Sequence, residues 1–128
     1  MELYVGGTAQ GKLTYVLEKQ NKNGNTITVA DGESCTAEEI KKADIINHLH
    51  LFVKRWLEEG KPKEELLDAI KQADPKVLLI CDEVGAGVVP MKREERDWRE
   101  TVGRLCCELA KEADRVERII CGIGVRVK

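Results

Sequence analysis

Glycine, four residues, then Gly-Lys is a spacing that can grip phosphate, and it occurs as Gly6-Gly7-Thr8-Ala9-Gln10-Gly11-Lys12-Leu13. The apolar run Leu3-Tyr4-Val5 before it reads as a first strand, and Thr14 to Lys19 after it reads as a helix. Between a strand and a helix, glycines let the backbone turn so that several N–H groups converge on one anion. The helix start adds unpaired donors and the positive end of its dipole. Lys12 adds a full charge for the phosphates furthest from the nucleoside. The eight residues Gly6, Gly7, Thr8, Ala9, Gln10, Gly11, Lys12 and Leu13 are therefore the expected nucleotide-binding set. The residue after the lysine ordinarily supplies a hydroxyl to Mg²⁺. Leu13 has no oxygen, and Thr14 is rotated away by about 100°. The anion cradle is kept and the metal grip is damaged. The competing reading is a glycine-rich turn that only joins strand to helix.

Two further groups could carry chemistry. Asp82-Glu83 follows the continuous apolar run Lys76-Val77-Leu78-Leu79-Ile80-Cys81, which reads as a central strand buried on both faces. A substitute metal ligand could sit at that strand end; the alternative is a pair that caps a turn. His48-Leu49-His50 places two imidazoles on one face if the segment is a strand, suited to a metal or to a nucleophile, with a hydrogen-bonded structural pair as the alternative. The arginines at 93, 96, 99 and 104 read as a solvated helix face paired with Glu94, Glu95 and Glu100, with phosphate or subunit contacts as the alternative.

The elements that must position these groups alternate. Thr26 to Ala30 reads as a second strand after the Asn-Gly-Asn turn signal, and Thr36-Ala37-Glu38-Glu39 is a capping box that opens a short helix. A third strand of about five residues is expected from Asp44, then a helix from about Leu51 to Glu59. Lys63 to Ala73 and Lys92 to Asp114 read as helices, the latter with Trp98, Val102, Leu105, Cys106 and Leu109 on one stripe. Arg115 to Cys121 leads into a last strand. Strands alternating with helices imply an α/β fold with a mainly parallel sheet covered on both sides. Ligands then bind at the carboxyl ends of the strands, so the loop at Gly6, the residues near Asn47 and Asp82-Glu83 should gather at one edge.

With 128 residues the chain reads as one domain that buries roughly two thirds of its unfolded surface. Its net charge of −2 argues against a nucleic-acid binder driven by counterion release. No apolar run approaches the roughly 18 residues of a membrane span, and no secretion signal is visible. Five cysteines without a Cys-x-x-Cys pair read as reduced thiols, with Cys81 and Cys121 in buried strands, and point to a cytoplasmic location.

From Val77 onward the sequence becomes specific. Asp82-Glu83-Val84-Gly85-x-Gly87-x-Val89-Pro90 resembles the Asn-Glu-Val-Gly motif of the adenosylcobinamide kinase / adenosylcobinamide-phosphate guanylyltransferase family of cobalamin biosynthesis. The likeness continues through Arg96, Trp98-Arg99, Gly103-Arg104, Ala113-Asp114-x-Val116 and Gly122 to Lys128. The resemblance implies a three-layer P-loop NTPase-like fold over residues 1–128, truncated relative to longer family members, and commonly a homotrimer. Family members phosphorylate a hydroxyl of adenosylcobinamide and then transfer GMP through a guanylated histidine. ATP or GTP and a corrinoid are the implied ligands. Asn47 stands where the family has an acidic residue that supports Mg²⁺, which together with Leu13 puts Mg²⁺ in question. Asp31 to Lys42 fills the place of the family's long histidine-bearing segment and contains no histidine, so guanylyl transfer is expected to be lost. Three functions remain open: a short kinase-like enzyme, a degraded paralogue that binds a ligand or partner, and an oligomerising subunit with a vestigial loop.

Overall fold

The strands of this chain carry apolar residues on both faces, and that decides the architecture. In β1 (Glu2–Gly6), Leu3 is buried with one set of helices and Tyr4 with another. The neighbours Ile45 and Ile46, and Leu78 and Leu79, split the same way, as the period of two requires. A sheet so built must be covered on both sides.

The computed structural model describes residues 1–21, 24, 26–85 and 91–128. Six strands lie in the order β2-β3-β4-β1-β5-β6: β1, β2 (Val29–Asp31), β3 (Ile45–Asn47), β4 (Leu78–Asp82), β5 (Arg115–Ile120) and β6 (Ile123–Arg126). All pairings are parallel except that of β5 with β6. Helix α1 (Lys12–Asn21) covers one face through Val16, Leu13 and Leu17. Helices α2 (Ala37–Lys42), α3 (Leu49–Glu58), α4 (Leu66–Lys71) and α5 (Arg93–Glu112) cover the other through Ile40, Phe52, Ile70 and Leu105. The result is a three-layer α/β fold with a mainly parallel sheet. Among the described residues no helix is long and apolar enough to cross a membrane.

Several boundaries differ from expectation. The second strand spans only Val29–Asp31; at Thr28 the N–H donates to the Asp44 side chain, Oδ2 at 2.8 Å, and the carbonyl is shared between Asp44 N–H and Ile45 N–H. The third strand stops at Asn47, and α3 begins at Leu49, two residues before the expected Leu51. His48 makes this corner in the left-handed region at φ 53°. Cys121 is exposed, not buried in a strand, because it and Gly122 form the β5–β6 turn with φ of 50° and 74°. Two successive positive φ values suit the tight hairpins that follow strand twist. The capping box is as expected: the Thr36 hydroxyl accepts from Glu39 N–H at 3.2 Å and Glu39 Oε1 faces Thr36 N at 3.4 Å. Val88 and the motif positions Gly87, Val89 and Pro90 lie outside the described residues, as do Lys22, Asn23 and Asn25 of the expected turn.

Candidate functional site

The phosphate-type loop runs from the last residue of β1 to the first of α1. Parallel pairing sets Gly6 beside Asp82, so the loop and the end of β4 are adjacent. A Cβ on Gly6 would lie 2.5 Å from the Ile119 carbonyl oxygen, so only glycine lets β1 leave the sheet this close to β5. Two loop residues take left-handed backbone, Ala9 at φ 57° and Gly11 at φ 81°. Glycine does so without strain, whereas alanine costs on the order of 1 kcal/mol. Such a conformation turns consecutive N–H groups to one side, the arrangement that makes an anion nest.

Lys12 is buried, 7% exposed. Its ammonium donates to the Gly7 carbonyl at 2.7 Å and pairs with Asp82 Oδ1 at 2.7 Å. The Thr8 hydroxyl donates to Asp82 Oδ2 at 3.2 Å. One carboxylate thus holds two side-chain donors of the loop, Lys12 and Thr8. Burial pushes the Asp82 pKa up, but the Lys12 hydrogen bond, the charges of His50 and Lys12 and the Thr8 hydrogen bond outweigh it and leave the carboxyl below its ordinary value. Gln10 does not turn inward. Its side-chain oxygen accepts from Cys121 N–H at 2.7 Å and its carbonyl accepts from Gly122 N–H at 2.8 Å, which docks the β5–β6 turn onto the loop.

The two histidines sit at the same sheet edge in different roles. His50 is buried in the first turn of α3, where Nδ1 accepts from Asp82 N–H at 3.2 Å and Nε2 lies 3.4 Å from Asp82 Oδ2. Trp98 Nε1 donates to the His50 carbonyl at 2.7 Å. Burial lowers the His50 pKa, against the opposing charge of Asp82, which favours the neutral ring. His48 Nδ1 lies 3.1 Å from Asp31 Oδ1, and Glu33 N–H fixes that oxygen at 2.9 Å. The rings meet edge to face with centroids 5.6 Å apart. The strand-face arrangement of His48 and His50 is therefore replaced by a corner and a helix start.

Glu83 is turned elsewhere. It forms a two-pronged pair with Arg118 at 2.8 and 3.0 Å. Asn47 is buried and lies in register with Asp31 on β2; its own strand is separated from β1 by β4. Leu13 packs its side chain against the apolar layer under α1. The two positions at which the family resemblance places Mg²⁺ donors thus supply no hydroxyl and no carboxylate, and they do not fit that ion. Among the described residues no three His, Cys, Asp or Glu side chains are grouped to hold a metal. A separate cleft of 480 Å³, lined by Cys35, Ile40, Phe52, Arg55, Trp56 and Ala69 among others, draws on none of the loop residues.

The sequence brought Gly6 to Lys12, Asp82 and His50 to notice. It did not bring out Asp31 as the His48 partner, Thr8 as the Asp82 partner, or the turn at Cys121-Gly122. Of these, only the turn carried a local signal, Gly122 between Ile119-Ile120-Cys121 and Ile123.

The family model of cobinamide kinase / cobinamide phosphate guanyltransferase matches residues 9–127. The chain is 41% identical over 63 residues to the bifunctional adenosylcobalamin biosynthesis protein CobU of Salmonella typhimurium, covering 49% of this chain and 35% of that protein. It is 38% identical over 65 residues to the protein of the same name from Escherichia coli, covering 51% of this chain and 36% of the relative. These matched stretches span about a third of each relative's length. On the match that runs from the phosphate-type loop to β6, the chain belongs to the cobinamide kinase / cobinamide phosphate guanyltransferase family.

Proposed function

We propose that this chain binds a nucleoside triphosphate, ATP or GTP, with its phosphates in the loop Gly6 to Leu13, and acts in cobalamin biosynthesis on a corrinoid. The observation that carries the reading is the loop itself. It combines left-handed backbone at Ala9 and Gly11 with a buried lysine at a helix start, next to the carboxyl end of a central strand. In phosphoryl transfer the protein supplies positioning and charge neutralisation. Backbone N–H groups would hold the phosphates, and Lys12 would exchange Asp82 for a phosphate oxygen. Guanylyl transfer is lost in this reading, because residues 31–42 contain no histidine.

Titration calorimetry with GTP and ATP, for the unmodified chain and Lys12→Ala, tests the binding, and a kinase assay on cobinamide tests the reaction. Binding of either nucleotide that Lys12→Ala removes is the expected outcome; no binding of either disposes of it. A second reading, a paralogue that binds without turnover, is favoured by Leu13 and Asn47. It predicts nucleotide affinity without phosphorylation of cobinamide. Self-association is part of the proposal too. Ile123, Val125 and Val127 are exposed on or beside the edge strand β6, an apolar strip that a second copy could cover. Sedimentation velocity checks it, with a trimer expected and a monomer at all concentrations against it.

A further inference from the structure

We infer that Thr8 and Asp82 form a relocated divalent-cation site, which takes over from the two donors missing at positions 13 and 47 and admits the nucleotide as its metal complex. The inference rests on the nucleotide reading above.

Three observations converge on it. The first is distance. Thr8 Oγ1 and Asp82 Oδ2 are 3.2 Å apart. Neighbouring oxygens around an octahedral Mg²⁺ with bonds near 2.1 Å are separated by about 3.0 Å. The hydroxyl and carboxylate are already spaced as two adjacent ligands. The hydroxyl need only rotate its proton away.

The second is charge. In the free protein Lys12 neutralises Asp82 through Oδ1. A phosphate that recruits Lys12 would leave Asp82, only 15% exposed, as an unpaired carboxylate beside a second anion. A divalent cation on Oδ2, shared with the phosphate oxygens, resolves both demands at once.

The third is access and exclusivity. Thr8 is exposed, so a hydrated ion and its nucleotide can reach it. Glu83 is occupied by Arg118. One hydroxyl and one carboxylate suffice for Mg²⁺, which keeps several waters and completes its shell with substrate phosphates.

The test measures GTP affinity by calorimetry with Mg²⁺ and with EDTA, and Mn²⁺ binding in the presence of GTP by electron paramagnetic resonance. Thr8→Val and Asp82→Asn are compared with the unmodified chain. The unmodified chain should lose about ten-fold or more in affinity when the metal is removed, the scale of one charge-assisted contact. Thr8→Val and Asp82→Asn should each lose most of this metal increment and the bound Mn²⁺ signal, and Asp82→Asn should bind GTP better than the unmodified chain in EDTA because Lys12 is released. Thr8 is at the surface, so Thr8→Val keeps the test decisive if Asp82→Asn fails to fold. A metal increment that survives in both variants overturns the site. GTP binding that Lys12→Ala removes but that is indifferent to metal overturns the site and leaves the nucleotide reading standing. No binding under either condition overturns both.

Discussion

Helix α1 carries a lysine near each end, and each meets a carboxylate from a neighbouring strand at 2.7 Å. The two pairs differ in how completely the acid is used. Glu117, on β5, is 2% exposed and holds Lys19, the Tyr15 hydroxyl at 2.6 Å and Arg115 at 2.8 Å. Its pKa is pushed down to about 2: burial raises it, and the hydrogen bonds from Lys19, Tyr15 and Arg115 outweigh burial. Asp82, on β4, is more open and has an exposed hydroxyl as one partner. The same chemistry is saturated at one end of the helix and exchangeable at the other. A saturated pair fixes where the helix lies; an exchangeable one can hand its cation to a ligand.

The largest expected effect separates the two ends on stability. Glu117→Gln leaves the part-exposed Lys19 and Arg115 and the Tyr15 hydroxyl without the buried anion they share and should cost about 3 kcal/mol over the three hydrogen bonds, read as a lower urea midpoint. Nucleotide affinity measured below the transition should change little. If Glu117→Gln is as stable as the unmodified protein, the saturated pair is not what anchors α1.

Next is the reverse case. Lys12→Ala should lower nucleotide affinity by about ten- to a hundred-fold, the scale of a lost charge-assisted contact of roughly 1.5–3 kcal/mol. Circular dichroism should show the fold retained. Equal affinity in the variant would mean that Lys12 is a second structural lysine.

Acid should then act on the two ends in different windows. The folded His50 pKa lies below its ordinary value of 6.5, so the unfolded chain binds the extra proton first. Its stability contribution is present above about pH 6.5 and is lost as pH falls below that value toward the lower folded pKa. For Glu117 the contribution is present above about 4.5 and is lost as pH falls toward about 2. Urea midpoints between pH 7 and 5 should fall, and His50→Gln should flatten that portion while leaving the loss below pH 4.5. An unchanged slope in His50→Gln would contradict the buried neutral ring.

The smallest effect is a control. Arg104 and Glu100 pair at 2.6 Å one turn apart on the exposed face of α5. Arg104→Ala should change stability by about 0.3–0.5 kcal/mol, near the error of denaturant titration. A larger loss would mean that this face is not merely solvated.

Much of the architecture was legible because it rests on local patterns. The apolar run into Cys81 and the stripe through Val102, Leu105 and Leu109 needed only period and length. The corner at His48 was not legible, since Ile45-Ile46 favours a strand and nothing local announces a left-handed residue at the next-but-one position. The β5–β6 turn was hidden for a related reason: its first left-handed residue is Cys121, where asparagine or aspartate would have announced it. At the site, the backbone cradle could be read from spacing. Its side-chain partners could not, because Thr8 and Asp82 are 74 residues apart in sequence and only the parallel register of β1 with β4 brings them together.

The docking of Cys121 and Gly122 onto Gln10 has a consequence for synthesis. The loop around Gln10 is braced by a hairpin translated more than a hundred residues later. During elongation the glycine-rich turn therefore emerges without its brace, and its amides acquire their fixed directions only once β5 and β6 have left the ribosome. Nascent chains stalled before residue 115 should accordingly bind no nucleotide, even with every residue of the loop already made.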